Sequence, residues 1–191
     1  MALDTPANRS ILIRDFPELG SDPFFRISSP LTTDYNCIAW AMGFTDRWVE
    51  NTSTTLVNTV NARFIWWPPG VKDSRECDAL IKAFEAIGFE ITNDGGYDPI
   101  FDKAVLYTDG KGWTHASRIT GLGEEHSKFG EGWDAYHGKD KFRNTDYGEP
   151  YAIMQRLHAR KQEFIARYPI KAAGHIINLQ QLKLLLKIQS S

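Results

Sequence analysis

The chain has 191 residues, 42% hydrophobic and 24% charged, with a formal net charge of -2, a globular composition that supports one domain with its own core and room for appendages. The balanced charge, with no basic run, argues against a nucleic-acid partner, and no stretch approaches the ~18 apolar residues of a membrane-spanning helix. Two cysteines cannot build a disulfide framework, and the polar start MALDTPANRS lacks the apolar segment of a secretory signal, so the expected location is cytoplasmic, or exported without a signal peptide.

Residues 1–32 carry Pro6, Pro17, Pro23 and Pro30 with little periodicity, and read as an irregular N-terminal arm. Thr33 or Asp34 is placed to cap a helix that runs to about Met42 and ends at Gly43. That helix is apolar on nearly every side, so it is expected at the centre of the fold. Residues 45–63 are polar and read as an excursion from the core. The stretch FIWWPPG that follows reads as an aromatic strand end stopped by two prolines. A second helix is expected from about Ser74 to Ile87, because Cys77, Leu80, Ile81, Phe84 and Ile87 recur at helical spacing. Cys77 lies on that stripe and reads as a core thiol.

The period then changes to two. Phe89–Thr92, Lys103–Tyr107, Trp113–Thr120, Glu125–Phe129 and Tyr151–Leu157 read as strands separated by glycine-containing turns. Helices followed by a meander of strands predict an α+β domain, with the cysteine-bearing helix packed on an antiparallel sheet. The expected division is an arm over 1–32, a core over 33–157 and a helical extension over 158–191. Leu179, Leu182, Leu185 and Leu186 form one side of a helix in that extension, which packs on its own domain or offers a contact to a second copy or another protein.

The chemistry-bearing constellation is Cys37 at a helix start and His115 near the start of a strand. A thiolate nucleophile needs its pKa of about 8.5 lowered, which an imidazolium within hydrogen-bond reach achieves. A third polar group must orient the ring. A hairpin turning near Gly121–Glu124 brings His126, Ser127 and Lys128 beside His115, with Asp134 and His137 as second-line candidates. Tyr35, Asn36 and the backbone N–H of Cys37 are candidate oxyanion donors, and Trp67 is a candidate subsite wall. The bland alternative is a packed cysteine and a satisfied strand histidine, and the residues alone leave both open. No metal or cofactor motif is present: there is no H-E-x-x-H, Cys-x-x-Cys or phosphate-binding loop.

The motifs YNCIAWA and THASRITG resemble the NlpC-like branch of the papain-fold cysteine hydrolases. The series YNCIAWA, WWPPG, VLY, THASR, SKFG and DAYH also resembles an uncharacterised bacterial domain family of unassigned function. The first resemblance implies a papain-like fold over roughly residues 34–156, with Cys37 as nucleophile, His115 as its partner and the third group in 126–128. It implies a cysteine hydrolase or transferase acting on an amide of a peptide, isopeptide or glutamine side chain, an effector or toxin among the variants. Asn36-Cys37-Ile38-Ala39 replaces the Asp-Cys-Ser-Gly of many members, which points away from a wall-peptide substrate. The alternative function is a catalytically inactive domain that binds a protein partner.

Overall fold

A computed structural model describes residues 3–51 and 65–158. The chain order is helix α1 (Pro6–Asp15), a 3-10 turn (Pro17–Ser21), strand β1 (Arg26–Ile27), helix α2 (Cys37–Met42), strands β2 (Trp48–Val49) and β3 (Ile65–Trp66), helix α3 (Cys77–Ala86), and strands β4 (Glu90–Thr92), β5 (Phe101–Thr108), β6 (Trp113–Gly121), β7 (Glu124–Lys128), β8 (Asp134–Gly138) and β9 (Glu149–Leu157). Seven strands form one antiparallel sheet in the order β1-β8-β7-β6-β5-β9-β4. β2 and β3 form a separate parallel pair.

The expected papain-like α+β fold is therefore wrong. The described residues form a β-rich fold, a seven-stranded sheet with three short α-helices. The expected strands appear within a few residues of their sequence bounds, but β8 adds a strand that hydropathy does not reveal. Helix α2 is also shorter than expected. Its cap is Asn36, not Thr33 or Asp34: Asn36 Oδ1 accepts from the Ala39 N–H at 3.0 Å and from the Val49 N–H at 3.2 Å, and its Nδ2 donates to the Val49 carbonyl at 2.9 Å. One side chain thus starts α2 and ties it to β2. Gly43 ends the helix in the left-handed conformation, as expected.

The N-terminal residues are not irregular throughout. Thr5 caps α1 by accepting from the Asn8 N–H, with Pro6 at the first helical position. α1 buries Leu12, the 3-10 turn buries Leu19, and β1 pairs with β8. The helix expected in the extension, and the contact it was to offer, lie outside the described residues. No helix of the described residues is long and apolar enough to cross a membrane.

The sheet separates two cores, because successive strand residues point to opposite faces. On one face Ala104, Leu106, Ala116 and Met154 pack with Ile38, Ala39 and Met42 of α2 and Leu80 and Phe84 of α3. Alanine at 104 and 116 lets a helix lie close on the strands. On the other face Val105, Tyr107, Ile119 and Ala135 pack with Leu12, Leu19, Phe129 and Phe142. The return into β9 is equally tight: Gly148 has φ 74, and a Cβ there would lie 2.1 Å from the Thr108 carbonyl oxygen, so only glycine fits.

Candidate functional site

The two cores decide the fate of the expected dyad. Cys37 packs in the α2 core with Ala116. His115, the preceding residue, points through the sheet to the opposite face, where its ring contacts Tyr107, Phe142 and Tyr147. No hydrogen bond joins Cys37 to His115: the His115 Nε2 is taken by Ser127 and its Nδ1 has no partner, although Cys37 lies against the backbone of Ala116 next door. Burial pushes the Cys37 thiol up to about 11, only partly offset by backbone N–H groups of Ala116, Ile38 and Cys37. At neutral pH it is a protonated core thiol, the opposite of an activated nucleophile. Cys77 is the less buried of the two, and its thiol lies 3.4 Å from Thr108 Oγ1.

The expected neighbour of His115 is present. Its Nε2 lies 3.0 Å from Ser127 Oγ, which lies 2.8 Å from His137 Nε2, and His137 Nδ1 lies 2.8 Å from the Gly138 carbonyl. A carbonyl only accepts, so His137 carries its proton on Nδ1. Ser127 then donates to His137 Nε2 and accepts from the Nε2–H of His115. His115 Nδ1 is left without a proton or a partner. Burial drives His115 well below its ordinary pKa and His137 down to about 4. This is a relay of neutral groups sealed in an aromatic core.

The other expected site residues divide. Asn36 is the cap of α2. Trp67 stacks on Trp113 at 5.9 Å and donates its Nε1–H to the Lys72 carbonyl. Lys128 is fully buried and donates to the carbonyls of Thr32 and Gly132, which ties the loops at both sides of the sheet's end. Tyr35, His126 and Asp134, by contrast, converge on the α2 face.

There they surround a residue that no motif singled out. Arg118, His126, Tyr136 and Arg26 are successive cross-strand partners on β6, β7, β8 and β1. His126 stacks on Tyr136 with ring centroids 4.0 Å apart, and Arg26 lies 3.7 Å over Tyr136 while pairing with Glu124. Trp40 of α2 meets His126 edge-on at 4.9 Å and stacks on Tyr35 at 5.7 Å. The Arg118 guanidinium lies 3.9 Å over Trp40. Tyr35 donates to Asp134 Oδ2 at 2.6 Å. Ser28 donates to the Asp134 carbonyl and so accepts from His126 Nε2–H at 2.7 Å.

The polar groups in this cluster are incompletely matched. Arg118 is half-buried and makes no hydrogen bond to the described residues, and partial desolvation lowers its pKa to about 10, opposed by the charges of Asp102 and Asp134. The buried Trp40 Nε1–H and Asp134 Oδ1 have no partner either. Burial also raises the Asp134 carboxyl and takes His126 down to about 3. Donors withdrawn from water without an acceptor are costly, and native proteins tolerate few of them. An arginine between alanine-lined strand positions was a readable signal: in H-A-S-R it shares a face with Ala116, not with His115.

Comparison with known proteins adds a family. No curated protein and no solved structure matches the chain. The family described as "Domain of unknown function (DUF7689)" matches residues 26–155, which spans α2, α3 and the seven-stranded sheet from β1 to β9. With all but the last two residues of the sheet and the Arg118 cluster inside the matched region, the chain belongs to the DUF7689 family.

Proposed function

We propose that this domain is a non-catalytic binding module whose ligand face is the α2 side of the sheet around Arg118 and Trp40. The observation that carries the reading is the half-buried Arg118 guanidinium laid over Trp40, with no hydrogen-bond acceptor among the described residues. A structural arginine in a protein interior satisfies its donors, as Arg156 does in part with the carbonyls of Ile87 and Met42 and the carboxylate of Asp102. Arg118 has only the face of an indole. A thiol hydrolase is the poorer reading, since burial keeps Cys37 protonated and no hydrogen bond links it to His115.

A binding residue held at a cost to stability gives a clear test. The cation–π contact is worth at most about 2 kcal/mol, and a half-buried guanidinium without an acceptor bears part of the several kcal/mol that full withdrawal of a charge from water costs. Arg118→Met keeps the bulk and an attractive contact with Trp40. It is expected to stabilise the protein by up to about 1 kcal/mol, raising the melting temperature by up to roughly 2–4 °C. A clear fall in melting temperature would assign Arg118 to the structural core and remove the basis of this reading.

A further inference from the structure

The chemistry of the ligand follows from the unmatched atoms, and the inference rests on the binding reading above. Arg118 presents a planar fork of N–H donors beside a ring whose own N–H has no acceptor. A planar acceptor with two oxygens matches such a fork in a way that a spherical anion does not. The charge balance selects the valence. Arg118 is sensed by Asp102 and Asp134 on one side of the balance and Arg156 on the other. Arg26 is already paired with Glu124, and the Lys128 ammonium with two carbonyls. Asp102 is paired with Arg156, so Arg118 is left facing the Asp134 carboxylate of the same cluster, which opposes extra negative charge and favours a singly charged ligand over a doubly charged phosphate. Asp134 Oδ1, also unmatched, adds an acceptor for a donor on the ligand.

We propose that Arg118 and Trp40 form a carboxylate-binding site, Arg118 gripping both oxygens of the ligand's carboxylate and Asp134 taking an N–H or O–H next to it. A peptide supplies such a group from its C-terminal carboxylate or from an acidic side chain. The C-terminal residue has an amide N–H close to its carboxylate, so it offers acceptors to Arg118 and Trp40 and a donor to Asp134.

The indole N–H signals of the full chain, with six tryptophans, report on the site directly in a proton–nitrogen correlation spectrum, with Trp40→Phe identifying the Trp40 signal. The probes are N-acetyl-alanine, N-acetyl-glutamate α-amide, acetate and inorganic phosphate at equal ionic strength. N-acetyl-alanine is expected to move the Trp40 signal saturably and downfield, with a dissociation constant of about a millimolar for so small a ligand. Acetate and N-acetyl-glutamate α-amide should bind more weakly, and phosphate weakest. Arg118→Lys should weaken binding by about tenfold, because it keeps the charge and loses the fork, and Arg118→Gln should abolish it. If N-acetyl-glutamate α-amide binds tighter than N-acetyl-alanine, the carboxylate site stands and its source is a side chain. Tighter binding of phosphate than of any carboxylate, no movement of the Trp40 signal with any probe, or a shift that survives Arg118→Gln would each overturn the proposal. A stabilising Arg118→Met with no carboxylate response would discard the ligand chemistry alone, whereas a destabilising Arg118→Met would discard the binding reading itself.

Discussion

Lowering the pH from about 8 to about 5 is expected to reduce the melting temperature by on the order of 10 °C. The cause is three buried imidazoles: His137 sits at about 4, His126 at about 3 and His115 well below its ordinary value, each chiefly through burial. In the unfolded chain the same groups titrate near 6.5. Their folded pKa values are depressed, so the unfolded state binds more protons below that point. The stability they allow is therefore full above about pH 6.5 and declines as the pH falls towards the folded values. At pH 5 the differential is about 2 kcal/mol for each of His126 and His137. Glu125 and Asp134 act in the opposite sense, since burial raises their pKa and their protonation favours the fold. They take up two protons against three, and they titrate from a lower starting value. Calorimetry across pH checks the balance, and His126→Gln with His137→Gln should flatten the acid limb. A profile level from pH 8 to 5 in the unaltered protein would mean that these rings are not sealed from water.

Phe142→Ala is expected to cost about 3–5 kcal/mol. Phe142 is fully buried in the turn segment between β8 and β9. Its ring lies 4.6 Å from His137, 5.1 Å from His115 and Tyr147, and 5.5–5.7 Å from Phe16, Tyr107 and Phe129. Truncation removes a full aromatic side chain and several edge-on contacts at once, beside polar rings that rely on it to exclude water. Urea unfolding measures the loss. A cost below about 1 kcal/mol would show that residues 139–148 do not close this face, and would reopen His115 to solvent.

The secondary structure was legible where hydropathy alternates cleanly. β5, β6, β7 and β9 are strands with buried apolar positions, and α3 has its apolar stripe. Two elements were hidden for opposite reasons. α1 buries only Leu12 and has almost no apolar face, so its real signal was the Thr5 cap followed by Pro6. β8 buries Asp134 and His137, polar residues that hydropathy assigns to a loop. The candidate site failed on a finer point. Hairpin geometry was correct in bringing Ser127 to His115, because strand pairing is local. Which face α2 covers is a tertiary choice, and it is set by small residues at Ala104 and Ala116. That choice put His115 on the far side and Arg118 on the near side. Cys37 does open a helix, α2, and its thiol is buried against the strand that carries His115.

The inertness of the Cys37 thiol is tested most directly by mapping thiol alkylation in the native protein at neutral pH. Cys77, less buried, is expected to react first, and Cys37, held near 11 by burial, to stay unmodified until the protein unfolds. Unchanged labelling in His115→Ala completes the expected result, provided that this variant remains folded at the assay temperature. Faster modification of Cys37 than of Cys77, with the rate reduced in His115→Ala, would contradict the account and restore the thiol–imidazole pair.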